Sequence, residues 1–317
     1  MTPGPIDPAA ADPAPHTAPA GRWVTGASIG PADIAARIAG FPRMLFEHRD
    51  LVLTCVRRDL EARFKGTLLG FLWPLVHPLF LFVVYYFIFT KLLAQKLPED
   101  VVKGRETTLA VYMFLGVAMW SGFGDTLLRG AGSIVDNGNL IKKLAFPAEV
   151  LPLVVALVNA VTFVIALGAF LIASCTPLWH LPSWDVLLWV PVLLFLQVLF
   201  SYGLALLLAT LNVFLRDTAQ IAGIFVTVWM FFTPIFWVPY LPGIRESIAP
   251  YLGWIEGNPM AHLLYAWRYV LMHAEPVEIF PHDPLVSVGV FALWALGMFV
   301  VGYSVFLLGK SRFADEV

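Results

Sequence analysis

Charged side chains are scarce in this sequence. Asp, Glu, Lys and Arg make up 13% of the 317 residues, while 59% are apolar; soluble domains usually carry about 25% charged residues. Mean hydropathy is +0.78, and a chain this apolar has too little polar surface to cover a water-soluble fold. The sequence therefore predicts an all-α integral membrane protein, since helices satisfy their own backbone hydrogen bonds in lipid.

Cysteine is nearly absent too. Cys55 lies in a charged segment and Cys175 at the end of an apolar run, and there are no others. This spacing excludes a disulfide framework, a CxxC redox motif and a Cys/His zinc site. We interpret both cysteines as packing residues.

Asp, Glu, Lys and Arg are missing from the interiors of six apolar runs. The runs cover about 68–90, 107–127, 148–173, 186–211, 218–238 and 285–309. Each reaches or approaches the roughly 20 residues that a membrane-spanning helix needs. Asp125 and Glu149 lie only near run ends. Transporters driven by protons or ions usually keep ionisable groups in the membrane, so we expect another source of energy. His77, between Pro74 and Pro78, either lines a path or binds carbonyls freed by the prolines.

The sequence also lacks what an enzyme would need: a nucleophile with a base, paired carboxylates in a cleft, or metal ligands in register. Gly309-Lys310-Ser311 resembles the end of a P-loop, but Ser304 stands where that motif requires glycine, and a strand should precede it. We expect no cofactor in this chain. If ATP drives it, ATP and Mg are bound by a second protein.

The basic residues are distributed unevenly around the runs. Fourteen of the 20 Lys and Arg residues fall on the side that holds both ends of the chain, and six fall on the other. The positive-inside rule then places both termini in the cytoplasm, with six crossings. A five-span arrangement with another orientation is disfavoured by the same count.

A polar island, Arg129–Pro147, separates the second and third runs. Residues 136–139 favour a turn or helix start, Leu140, Ile141 and Leu144 form a small apolar face, and the lysines point elsewhere. Such an element suits a socket on a partner protein. The alternative is an ordinary loop whose lysines only fix orientation.

Two segments precede the first run. Residues 1–30 are rich in Pro and Ala without a secretory signal, which predicts a disordered cytoplasmic tail. In residues 31–66, Val52, Val56 and Leu60 recur every four positions, which predicts an amphipathic interface helix. Its apolar stripe suits the headgroup layer, and its polar face meets either water or a partner.

Residues 241–283 are too polar and too rich in proline to cross the membrane as one helix. Two short re-entrant helices on the outer face are expected instead. The string NPMAHLLYAWRYVLM predicts one of them, with Asn258 as its cap and Pro259 at its first position.

Six strings occur together in an order that resembles the ABC-2 type permeases that export polysaccharides. They are FKGTLLGFLWPLVHPL, FLGVAMWSGF, NGNLIKKLAFPAEVLPL, LNVFLRDTAQI, FFTPIFW and NPMAHLLYAWRYVL. That family includes O-antigen, capsule, teichoic acid and galactan exporters, and the resemblance covers about residues 43–310.

The resemblance implies a homodimer of six-span subunits in the bacterial cytoplasmic (inner) membrane. Two copies of an ATP-binding subunit would serve it, and a lipid-linked polysaccharide would be its cargo. The other expected contacts are with membrane lipids, and none is expected with nucleic acid. In such permeases the interface helix and the loop after the second span meet the ATPase. Carried over, these contacts are Arg57, Arg58, Asp59, Glu61, Arg63, Asn139, Leu140, Lys142 and Lys143. Arg216 and Asp217 match the family's Arg-Asp pair before the fifth span, where a helix cap or salt bridge is the alternative.

Aromatic residues, 14% of the chain, crowd the first and fifth runs. Flat rings suit sugar faces, although lipid-facing and interfacial belts account for many such positions. We hypothesise that some of six rings line a channel: Tyr85, Tyr86, Phe89, Trp229, Phe232 and Trp237.

Two other functions stay open on the sequence alone. An ABC-2 exporter of a small drug or lipid would not require this aromatic content, and a membrane-embedded glycosyltransferase should show more acidic residues at a membrane face than Asp125 and Asp136. The expected layout is a tail at 1–30, an interface helix region at 31–66, a six-span domain at 67–310 and a cytoplasmic tail at 311–317.

Overall fold

The computed structural model describes residues 30–93, 108–143, 146–175, 182, 187–240, 243–272 and 283–317. Within these ranges the chain forms helices and turns and no strand, as the all-α prediction requires. Except for Gly30, the predicted disordered tail lies outside the described residues.

The region at 31–66 is two helices rather than the single predicted one. Helix α1 is Pro31–Glu47 and α2 is Arg49–Phe64. They meet at His48, which leaves helical geometry at φ −103° and ψ 15°, and whose ring nitrogen Nδ1 lies 2.9 Å from the carbonyl oxygen of Met44. The His48 side chain thus bonds a carbonyl at the end of α1, where the helical geometry breaks.

Helix α3 (Trp73–Tyr85) continues directly into a π-helical segment, Tyr86–Leu92. Between α2 and α3 the chain turns at Gly66 (φ +78°) and Gly70 (φ +51°), where a side chain would be strained. Regular α-helix in the first predicted run therefore begins at residue 73, whereas the prediction placed its start at about 68. The side chain of His77 lies outside the described part.

Helix α4 (Thr108–Gly132) is longer than the second predicted run. A 3₁₀ turn at Val135–Asn137 and the short helix α5 (Gly138–Lys143) follow it. The predicted turn or helix start at 136–139 is confirmed, but Arg129 lies on α4 and not in a loop. Leu144 lies outside the described residues.

Three further helices follow: α6 (Val150–Ser174), α7 (Val190–Phe214) and α8 (Thr218–Phe232). The prediction of helix to residue 238 is wrong, because α8 ends six residues earlier. The residue before a proline avoids helical backbone, and Thr233, which precedes Pro234, is extended at ψ 137°.

The segment after α8 contains α9 (Ile244–Ile248), α10 (Leu252–Glu256) and α11 (Pro259–Met272). The predicted cap on α11 is confirmed, since Asn258 Oδ1 accepts the Met260 backbone N–H at 3.0 Å. Thirteen of the fourteen residues of α11 are buried. Its surroundings are therefore protein, mainly α4, α7 and the next helix, rather than the lipid of an outer leaflet.

The chain ends in α12 (Pro284–Gly309), a 3₁₀ turn at Lys310–Arg312 and α13 (Phe313–Glu316). Residues 311–317, predicted as a cytoplasmic tail, pack on the bundle, since Phe313 is fully buried. Its ring lies 5.2 Å from that of Phe306 and 6.4 Å from that of Phe214.

Close glycine contacts join α7 to α12. A Cβ on Gly203 would lie 2.7 Å from the carbonyl carbon of Met298, and a Cβ on Gly302 would overlap the carbonyl oxygen of Gly203. Small residues at such crossings let two backbones approach closely in a membrane.

Four described helices are long and apolar enough to span a bilayer: α4, α6, α7 and α12, the last together with the residues that follow it. The apolar helices at Leu79–Phe89 and Thr218–Phe232 are shorter. These elements make the chain a multi-pass membrane protein. We use "polar end" for the end of the bundle that holds α2, α5 and α13, and "opposite end" for the end that holds α9 and α10.

Candidate functional site at the polar end of the bundle

Helix α2 is joined to α4 and α6 by a network of charged side chains. Arg63 donates through Nη2 to Asp125 Oδ2 at 2.9 Å and through Nη1 to Asn159 Oδ1 at 3.0 Å. One turn away, Arg129 Nη2 donates to the two carboxylate oxygens of Asp59 at 3.1 and 3.0 Å. On each helix the acid and the arginine are four residues apart and share a face. The two faces meet as complementary pairs.

The network is partly shielded from water. The Arg63 side chain is 18% exposed, and burial lowers the pKa of its guanidinium, although the Asp125 carboxylate opposes that shift. An arginine stays charged under these conditions because its ordinary pKa is far above neutral pH. Removing either acid would leave a poorly hydrated cation, so this network holds α2 against the bundle.

The apolar side of α2 reinforces the attachment. Val52 and Val56 are buried in a cluster with Val150 and Leu153 of α6. This part of the predicted stripe therefore packs on protein and is not free to enter the headgroup layer.

A groove of about 630 Å³ runs between α2 and the turn that leads into α5. Arg58 and Asp59 line it from α2, and Asp136, Asn137 and Leu140 line it from the other side. Its walls combine apolar and charged groups and belong to two elements that the sequence predicted as partner contacts.

Beside the network, a cavity of about 440 Å³ separates α2 and α3 from α4 and α6. Arg63, Asp125 and Asn159 form its polar side, while Trp73 and Phe163 are among its apolar lining residues.

The predicted coupling residues occupy several different positions. Arg57 and Glu61 pair with each other at 2.8 Å on the outer face of α2, with side chains 83% and 65% exposed. Arg58 and Leu140 line the groove, and Asn139 and Lys142 are exposed on α5. Arg63 and Asp59 turn inward to the network, and Asp59 also lines the groove. The side chain of Lys143 lies outside the described residues.

Comparison with known proteins shows the family of this chain. The family model described as ABC-2 type transporter matches residues 50–272, from the start of α2 to the end of α11. The chain belongs to the ABC-2 type transporter family.

Similar proteins in this family match nearly the whole chain. The O-antigen export system permease protein RfbA of Myxococcus xanthus is 31% identical over 275 residues, which cover 87% of this chain and 98% of that protein. Two Klebsiella pneumoniae proteins with the same name are each 26% identical, over 267 and 269 residues, covering 84% of this chain and 94% of each relative.

The P-loop-like string of this ABC-2 chain lies at a helix end. Gly309 is the last residue of α12, and Lys310 Nζ donates to Glu149 Oε1 at 2.6 Å. A membrane helix precedes the string where a P-loop has a strand. Binding of ATP by another subunit stays a prediction.

The six predicted channel aromatics do not form one cluster in a single ABC-2 chain. Trp229 packs among Trp120 and Phe123, with ring centroids at 5.9 and 5.4 Å, and its Nε1 donates to Asn258 Oδ1 at 2.9 Å. Phe232 is 68% exposed. The others lie elsewhere: Tyr85 contacts Phe89 and Phe236, Tyr86 lies near Lys91, and Trp237 donates to the Phe231 carbonyl. Their role in a channel stays a prediction.

The Arg-Asp pair of the family motif, Arg216 and Asp217, is exposed in the turn between α7 and α8. Asp217 occupies the N-cap position of α8 but makes no capping hydrogen bond with its side chain. Asn212 Oδ1 accepts the Ala219 N–H at 3.3 Å instead. The capping alternative for Asp217 is therefore wrong, and its side chain is free to face a partner.

Sequence reasoning missed Arg268, which it counted as a charge of the outer loop. Arg268 is fully buried and donates to the carbonyl oxygens of Tyr112, Pro234 and Ile235 at 2.7 to 3.2 Å. Its guanidinium carbon lies 3.2 Å from the centre of the Tyr112 ring. Two features of the sequence could have indicated this role. Arg268 is a single arginine in an otherwise apolar helix, and Pro234 ends α8 and so leaves carbonyls without helical donors.

Proposed function

We propose that this chain is the transmembrane permease subunit of an ATP-driven exporter that moves a lipid-linked polysaccharide across the bacterial cytoplasmic (inner) membrane. The observation that carries this is the similarity, over nearly the whole chain, to ABC-2 proteins named O-antigen export system permease. An O-antigen-type glycan is the cargo class that this similarity supports best. The drug-exporter and glycosyltransferase alternatives have no comparable support.

The energy is proposed to come from two copies of an ATP-binding subunit, which bind ATP and Mg, on a homodimer of this chain. Each copy would dock at the polar end, in the groove between α2 and α5. Arg58 and Leu140 lie in that groove, while Arg57 and Glu61 are exposed on α2 and Asn139 and Lys142 on α5. Arg216 and Asp217 add an exposed pair at the end of α7.

Six crossings are proposed, with both termini in the cytoplasm. The four long helices supply four of them. Helix α3 and its π-helical continuation form a helical segment from Trp73 to Leu92, and at 1.5 Å per residue about 20 residues span the hydrocarbon core. Helix α8 would be the shortest crossing. The buried helix α11 would fill the rest of the bundle's thickness beyond the end of α8.

The cargo path is proposed to run past neutral helices lined in part by aromatic rings. Weak stacking, on the order of 1 kcal/mol per ring, would let a long glycan slide, whereas buried charges would bind its hydroxyls tightly. Phe232 is exposed in the single chain and suits a surface shared between two copies.

The test uses the permease co-expressed with its ATP-binding subunit and reconstituted in vesicles. Leu140→Asp combined with Lys142→Glu should weaken ATPase binding at least about tenfold, since an unpaired carboxylate in the groove costs on the order of 2 kcal/mol. ATPase binding and export of lipid-linked polysaccharide are both measured.

A matched control applies the same chemical change at the opposite end: Ile244→Asp combined with Arg245→Glu, both exposed on α9. The control should bind and export normally. Full binding and export by the α5 variant would refute the docking site, and absence of polysaccharide export by the unmodified complex would refute the cargo. In the same vesicles, Tyr85→Ala with Phe232→Ala should slow export at an unchanged rate of ATP hydrolysis.

A further inference from the structure

The last eight residues of the sequence contact the connection between α4 and α6 at two points. This connection, residues 133–149, carries α5 and one wall of the groove. The first contact is at Glu149, where the connection ends, and the second is at Gly138, where α5 begins. The segment 310–317 thus contacts both the start of α5 and the end of the connection.

At the first point a buried carboxylate is paired with a lysine. The Glu149 side chain is 7% exposed, and its Oε1 lies 2.6 Å from Lys310 Nζ. A carboxylate this shielded is costly to bury without a cationic partner. Tyr202 also donates its hydroxyl to the backbone carbonyl of Glu149 at 3.1 Å. The position where the chain leaves the connection and enters α6 is therefore held by the 3₁₀ turn after α12 and by α7.

At the second point Val317 packs directly on Gly138. A Cβ on Gly138 would lie 3.2 Å from the Val317 Cβ and 3.3 Å from its Cγ1. The absence of a side chain at residue 138 is what lets Val317 approach the α5 backbone so closely. Phe313, fully buried against Phe306 and Phe214, anchors the segment that brings Val317 there.

Helix α5 needs such support because it has only six residues. Isolated helices shorter than about 12 residues are marginal in water, and most helical stability comes from packing. Asn139 and Lys142 of α5 are exposed, whereas Gly138, Leu140 and Ile141 are partly buried, so its support must come through these less exposed residues.

We propose that residues 310–317 are a positioning segment for the α4–α6 connection, which they hold in the geometry that binds the ATPase subunit. This rests on the proposed function. Rigid presentation of a docking surface removes the ordering cost that a loose six-residue helix would add to every binding event.

The first experiment compares two substitutions that each remove a buried phenylalanine ring from the same chain. Phe313→Ala should weaken ATPase binding about tenfold or more. Loss of the anchoring ring would let α5 shift, and even a small misplacement of binding groups can have a large effect. Phe291→Ala is the matched control: Phe291 is also fully buried, on α12, but toward the opposite end. Equal loss of binding in both variants, or none in either, would overturn the positioning role.

The second experiment fixes the contact covalently. Gly138→Cys with Val317→Cys, in a background of Cys55→Ala and Cys175→Ala, places two thiols at a Cβ separation close to the roughly 3.5–4.5 Å of disulfides. The pair should cross-link on oxidation, and the oxidised complex should bind ATPase and couple ATP hydrolysis to export like the reduced one. Gly138→Cys with Asp315→Cys, which is exposed on α13, should cross-link poorly.

The outcomes distinguish failure of the positioning role from failure of the proposed function. Failure of the 138–317 pair to cross-link, or loss of ATPase binding on oxidation that reduction restores, would mean that the segment does not hold α5 during the cycle. An unmodified complex that hydrolyses ATP without exporting polysaccharide would contradict the proposed cargo alone, since the binding and cross-linking readouts still test the positioning role. An unmodified chain that binds no ATPase subunit would overturn both.

Discussion

Arg268 determines how the bundle is closed near its opposite end. The helix α8 stops before Pro234, and the carbonyls of Pro234 and Ile235 then lack the helical donors that would otherwise bond them. The guanidinium of Arg268 supplies several N–H groups in one plane and bonds both carbonyls as well as that of Tyr112. One side chain thus joins α11, α4 and the break after α8.

We predict that Arg268→Met destabilises the protein by on the order of 3 kcal/mol, because three buried carbonyls lose charged donors and only the aliphatic volume is kept. Arg268→Lys should fall between Met and the native residue, since one ammonium cannot reproduce the planar set of donors. The measurement is thermal unfolding in detergent.

Arg245→Met, at an exposed position on α9, is the control and should leave the unfolding temperature unchanged. Native stability in the Arg268→Met variant would show that the carbonyls find other donors.

At the scale of elements, α2 is attached to the bundle through two acid–arginine pairs and an apolar stripe. The pairs alternate in sign, so that Arg63 faces Asp125 and Asp59 faces Arg129. Because both partners lie on helices, a shift of α2 by one turn would place like charges opposite each other. The network therefore specifies the register of α2 on α4.

We predict that Asp59→Arg, which places a third cation beside Arg63 and Arg129, displaces α2, and that the exchange Asp59→Arg with Arg129→Asp restores it in part. The Asp59–Arg129 pair is 29% and 36% exposed, so its coupling free energy should be near 1 kcal/mol. A double-mutant cycle on unfolding in detergent measures this coupling.

The Arg57–Glu61 pair is the comparison, because both of its members lie on α2 and are largely exposed. Its neutralisation should change stability by about 0.5 kcal/mol or less. A cycle that gives no coupling for Asp59 and Arg129 would mean that Val52 and Val56 alone hold α2.

At the scale of the whole molecule, orientation in the membrane follows from the distribution of basic residues. Arg268 is enclosed by protein and does not act as a loop charge, which makes the imbalance between the two sides greater than the simple count. The polar end, with α2 and α5, should then face the cytoplasm.

We predict that Asn139→Cys is labelled by an impermeant thiol reagent only after cells are permeabilised, whereas Ser183→Cys is labelled in intact cells. Asn139 is exposed on α5, so its reaction reports sidedness rather than burial; Ser183 lies outside the described residues and is placed by the charge count. Native Cys175 is exposed near the far end of α6 and must first be replaced by alanine. The reverse labelling pattern would overturn the orientation.

Local features of the sequence determined the helical class, four spanning helices, the Asn258 cap and the family. Composition, apolar runs and short ordered strings act over a few residues, so they can be read without a fold. Tertiary structure decided the rest: Arg63 meets Asp125 across 62 residues, Arg129 meets Asp59 across 70, and Arg268 reaches Tyr112 across 156. Spacing along the chain holds no record of such partners, because helix packing alone sets which distant faces meet.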